Sequence, residues 1–166
     1  MISIMTVKAD TRYESDFYAW TQEQAAALRR LGAAGANLPL DWENIAEEID
    51  SMGRSERAAL RTSLMRVLEH LLKLEYSPAP GPRAGWKRSA IEHRLRLPDI
   101  LAENPSLAPQ LPDLMRAAWE MARELAAQSL VDFDGVDTDI LPTDCPYTME
   151  QVSDRSWLPA NRHGLA

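Results

Sequence analysis

Glu43, Glu47 and Asp50 stand four and three residues apart, so on a helix their carboxylates project from one face, as metal ligands in a bundle would. A di-iron bundle also draws Glu-x-x-His from two helices, and neither His70 nor His93 has an acid three residues before it. Their neighbours Glu69 and Glu92 point about 100° away around a helix. The three acids therefore read as a solvated face near a helix N-terminus, where the dipole favours negative charge. Asp132, Asp134, Asp137 and Asp139 with Gly135 suggest calcium, but counting from Asp132 puts glycine fourth and Thr143 twelfth, against the sixth-place Gly and twelfth-place Glu of an EF-hand. That run reads as an acidic connection. Cys145 precedes a helix cap at Thr148, yet Asp144 beside it opposes a thiolate, and no oxyanion-hole motif accompanies it; a structural cysteine is the better reading. The chain has no phosphate-cradling glycine loop, dinucleotide fingerprint or zinc-type spacing. No catalytic residue, metal or cofactor is assigned. The candidate site that is left is a polar cleft near Trp42, Glu43, Glu47, His70 and Tyr147, receiving a small ligand or a partner.

The elements that would position these residues are helices. Phe17, Trp20, Gln24, Ala27, Leu28 and Leu31 recur at helical spacing, with Asp16 as cap or, alternatively, Thr21 and Gln24 as a capping box, and Gly32 and Gly35 as the close. Asp41 caps a stripe of Trp42, Ile45, Ile49 and Met52. A second stripe runs through Leu60, Leu64, Val67, Leu68 and Leu71 to Tyr76. A continuous helix would carry Glu56 into the seam between them, so Gly53 and Ser55 are read as a break or bend. Residues 77–85 form a Pro- and Gly-rich loop, residues 86–103 a helix that Pro98 should kink or split, and a further stripe of Leu111, Leu114, Met115, Ala118, Ala122 and Leu125 runs to about Gln128. Thr148 and Gln151 form a capping box for a short helix before Trp157. The fold class is all-α: a helical bundle of four to five main helices with a short C-terminal helix and arm. Residues 1–12 are read as a flexible N-terminal segment and 13–166 as a single helical domain.

With 166 residues, 45% hydrophobic, the chain can bury a core without staples, and its single Cys forms no internal disulfide. A net charge of −7 disfavours nucleic acid, and no stretch reaches the roughly 18 apolar residues of a membrane span. The opening MISIMTVKADT lacks the layout of a targeting signal, so a cytoplasmic location is expected. Residues 41–50 hold five acids and no base, whereas Arg83, Lys87, Arg88, Arg94 and Arg96 face only Glu92 across residues 83–96. The favoured reading pairs the two blocks internally. If the basic segment is free, it suits an acidic partner or a second copy.

Several stretches together, DFYAWTQEQAAALR (16–29), LDWENIAEEIDSMGRSER (40–57), LMRVLEHLLKLEY (64–76), ENPSL (103–107) and CPYTMEQVSDRSWLP (145–159), resemble a bacterial family, domain of unknown function number 29. The resemblance spans about residues 13–159 in the family's order. It implies an all-helical protein and carries no activity or site residue with it. The leading expectation is a non-catalytic helical module that associates with a protein partner or forms a homo-oligomer. The alternatives are a small-ligand-binding protein or unrecognised enzyme, and an accessory or antitoxin-like partner of a neighbouring gene product.

Overall fold

A computed structural model describes residues 12–35 and 38–165. The N-terminal segment expected at 1–12 lies outside them except for Arg12. The elements in order are α1 (Arg12–Ser15), α2 (Phe17–Ala33), α3 (Trp42–Tyr76), α4 (Arg83–Glu103), a 3-10 helix (Pro105–Gln110), α5 (Leu111–Asp134), a 3-10 turn (Thr138–Ile140) and α6 (Met149–Ser153). No strand occurs among the described residues. The chain's contacts cluster in two compact units, Met1–Arg57 with Leu101–Ala108, and Ala58–Ile100 with Pro109–Ala166.

In the first unit Asp16 is the cap of α2, accepting from the Ala19 amide at 3.1 Å. The same carboxylate accepts from the Ser106 amide and hydroxyl at 3.0 and 2.8 Å. Asn104, fully buried, accepts from the Tyr18 amide at 2.9 Å and donates to Glu56 at 3.3 Å. The ENPSL stretch is thus the clasp of this unit, and Glu56 reaches the seam because Asn104 meets it there. Tyr13, Phe17 and Trp20 form an aromatic cluster with centroids 4.9–5.7 Å apart.

The break expected at Gly53 does not exist: α3 runs uninterrupted from Trp42 to Tyr76. A Cβ at Gly53 would stand 2.2 Å from Thr21 Oγ1. The glycine is there because α2 approaches closely, and the cost of a glycine in mid-helix, about 1 kcal/mol, is accepted for that packing. Thr21 is buried inside α2, its hydroxyl donating to the Tyr18 carbonyl at 2.7 Å, so Asp16 and not Thr21 begins the helix. Met52, expected in the stripe, is exposed while Ala46 is buried.

In the second unit Leu60, Leu64, Val67, Leu68 and Leu71 are fully buried, as their spacing requires. They share the core with Ala90, Leu97, Leu114, Ala118 and Ala122. Pro98 sits inside α4 without splitting it, and α4 begins at Arg83, three residues earlier than expected. Helix α5 overruns its expected end near Gln128 because Ala126 and Leu130, not Leu125, continue the buried stripe. It stops at Gly135, whose φ of 62° is the left-handed cap conformation. The capping box of Thr148 and Gln151 forms as expected.

The C-terminal arm is bound by main-chain carbonyls. Arg94, only 1% exposed, donates from Nε, Nη1 and Nη2 to the carbonyls of Val152, Trp157 and Gln151 at 2.8–2.9 Å. Asn161 donates to the carbonyls of Leu74 and Ser77 at 2.8 and 3.0 Å. Trp157 packs edge-on against Tyr147, with centroids 5.8 Å apart.

Candidate functional site

Glu43 and Glu47 are brought together, with Asp50, on the guanidinium of Arg29 from α2. The contacts are Nε to Glu43 at 3.3 Å, Nη2 to Glu47 at 3.3 Å and Nη1 to Asp50 at 2.6 Å. A second arginine, Arg54, also pairs with Glu47. The position a cation would take among these acids is filled by the protein's own arginine. Three of the five acids at 41–50 are therefore paired from α2 rather than by the basic segment at 83–96, two of whose bases are turned to main chain: Arg94 as above and Arg83 to the Leu74 carbonyl at 2.8 Å. Trp42 packs at the α2–α3 corner, where a Cβ on Gly32 would come within 2.8 Å of its own Cβ.

His70 and Tyr147 belong to the second unit and serve different neighbourhoods. Beside His70 lies an ion pair between Glu69 and Lys73 at 2.7 Å, both residues under 10% exposed, with Arg66 on the other Glu69 oxygen at 2.8 Å. Burial raises the Glu69 pKa, but the hydrogen bonds and charges of Lys73 and Arg66 outweigh it, so the carboxyl lies below its usual range. Burial drives the His70 pKa down to about 4, and the His93 pKa is lowered mainly by the same cause. Both imidazoles are neutral at pH 7, and their buried Nδ1 atoms have no hydrogen-bond partner. Tyr147, buried, donates to Glu75 at 2.7 Å, and burial first and Glu75 second push its pKa up. The Cys145 thiol is likewise raised by burial and points at the Tyr147 carbonyl, so it is not an activated thiolate. Among the described residues no three His, Cys, Asp or Glu side chains are grouped to hold a metal.

A feature that the sequence did not reveal lies on α5. Trp119 donates its indole N–H to the Thr143 carbonyl at 2.7 Å, and Arg123 Nε donates to the Pro142 carbonyl at 2.9 Å. These two bonds fix residues 141–143 as a wall alongside the helix. Between wall and helix lie two depressions of about 600 and 460 Å³ that share Trp119, Glu120 and Thr143. The first extends along α5 to Ala127 and Val131 and the second reaches back to Met115 and Cys145. From Met115 to Val131 the groove follows about 24 Å of helix at 1.5 Å per residue. Glu120, Glu124 and Asp144 line it exposed, and among the described residues none has an ion-pair partner. Arg116 beside them is paired with Asp113. The one hint in the sequence was the pair of prolines, Pro142 and Pro146, which keep this stretch out of a helix.

An all-helical chain with this order of elements defines a class by fold alone. The sequence profile of the domain of unknown function DUF29 matches residues 12–158, and the chain belongs to that family. It is similar to an alpha-helical protein of unknown function from Rhodospirillum rubrum, known from a crystal structure, with 27% identity and a TM-score of 0.69. The likeness covers 87% of this chain and 90% of that one. No curated protein matches the chain. No helix among the described residues is long and apolar enough to cross a membrane.

Proposed function

We propose that this protein is a non-catalytic helical module that docks a segment of a protein chain in the groove along α5. The observation that carries the reading is the shape of the groove. It is a trough of helical length, with the Trp119 ring, Ala127 and Val131 on its floor and edge and carboxylates along its rim. Compact ligands are held in pockets that bury most of their surface, whereas a long open trough beside one helix matches helix-in-groove recognition. Exposed apolar side chains stand next to it: Val131 is 48% and Ile140 50% exposed. The polar groups that first drew attention, Glu43, Glu47 and His70, are engaged with Arg29 or sequestered beside the Glu69–Lys73 pair, which supports a surface role over chemistry at those residues.

A photoreactive amino acid in place of Gln128, exposed at the rim of the groove, tests this in the cell the protein comes from. The reading predicts one discrete crosslinked species that is missing when the photoreactive residue stands at Glu48, exposed on α3 and outside the groove. Equal labelling from both positions, or none from Gln128, would reject it.

A further inference from the structure

The chain carries a second surface whose chemistry complements the groove. On α4, Ile91 and Leu95 are 39% and 45% exposed, one helical turn apart. Arg88 and Arg96 flank them, also exposed, and neither has an ion-pair partner among the described residues. Half-buried Lys87 adds a third base, and Glu92 is the acid between them. From Lys87 to Asp99 this face extends about 18 Å, which fits within the trough. It is basic and apolar, where the groove is acidic at its rim and apolar at its floor.

We infer that the groove along α5 receives the Arg88–Ile91–Leu95–Arg96 face of α4 from a second copy of this chain. The inference rests on the docking reading above and names its occupant. Glu120 and Glu124, one turn apart on α5, meet the arginines, while Ile91 and Leu95 cover the floor at Ala127 and Val131. Arg123 weakens this attraction without reversing it, because its Nε and Nη2 are turned to the carbonyls of Pro142 and Leu141 and the carboxylates of Glu120, Glu124 and Asp144 outnumber it. A helix is the fitting occupant because its main-chain groups are bonded internally, whereas an extended segment needs strand-like partners, and no strand occurs among the described residues. Each copy offers both surfaces, so two copies related by a two-fold axis exchange the contact twice and the assembly closes as a dimer.

Sedimentation of the full chain, with charge-reversed variants, tests the inference. The wild type is expected to dimerise, with a Kd that rises about tenfold when salt is raised from low to high ionic strength. E120K/E124K and R88E/R96E, changed at exposed positions and checked for native helix content by circular dichroism, are each expected to sediment as monomers. Their equimolar mixture is expected to recover the dimer, because both exchanged contacts then join opposite charges. A monomeric wild type at the highest concentration reached, or a dimer that both variants retain, overturns the inference. The groove reading is judged separately. A monomer that photocrosslinks a different polypeptide from Gln128 retains the groove and removes the second copy, whereas a monomer with no crosslink removes both.

Discussion

Arg94 shows how a single side chain gains its role from partners far along the chain. As one base of the segment 83–96 it gave no sign of burial, because the carbonyls that satisfy it come 57 to 63 residues later. Removing it would take this donor from the buried Val152 carbonyl and the part-buried carbonyls of Gln151 and Trp157, and release the C-terminal arm. Arg94→Met is expected to cost about 3–5 kcal/mol of stability, read as a lower urea midpoint with the near-ultraviolet signal of Trp157 lost first. His70 acts through its charge state. Its pKa is about 4 in the folded chain against 6.5 unperturbed, so the unfolded chain binds the extra proton between those values. Stability is therefore complete above pH 6.5 and falls as the pH drops toward 4. Lys73, Arg66 and His93 reinforce the effect and Glu69 opposes it. For a half-buried ring the loss is about 2 kcal/mol. Urea midpoints measured from pH 7.5 to 4 should show this slope in the wild type and a shallower one in His70→Phe.

Helices were legible wherever their signal was local. The apolar spacing of residues 60–71 and the Thr148–Gln151 box depend on neighbours within a few residues, and both appear as read. Gly53 was misread because its meaning lies in another element. A lone sequence offers glycine as a helix end, whereas the structure uses it to admit Thr21. The misreading makes a test: Gly53→Ala gains about 1 kcal/mol of helix propensity but forces Cβ into Thr21 Oγ1, for a net loss of about 1–2 kcal/mol. Thr21→Ala should relieve that contact, so the double variant is expected to be more stable than the sum of the two single changes. Strict additivity in a double-mutant cycle would show that the close approach is not what keeps glycine there. The groove was illegible for the same kind of reason, since its wall stands only where Trp119 and Arg123 hold residues 141–143.

At the scale of the molecule, a charge of −7 is distributed unevenly, and its patterning matters more than its sum. Glu43, Glu47 and Asp50 are bound to Arg29 inside the first unit, while the acids at the α5 groove are left for solvent or a partner. The five polar and aromatic residues singled out from the sequence are accounted for by packing and internal pairing. The proposed docking surface instead draws on Trp119, Glu120, Glu124 and Ala127, ordinary residues for an amphipathic helix, so composition and spacing alone did not single them out.

The central claim is that the trough along α5 is the docking surface, whatever occupies it. Ala127→Trp fills that trough from a position outside the buried core, so folding and thermal stability should be unchanged. The decisive measurement is the native mass of the assembly in which the protein travels when gently purified from its own cells, wild type beside Ala127→Trp. The account predicts a wild-type mass above that of the single 18.6 kDa chain and a variant that runs as the bare chain. Identical masses for the two would contradict it.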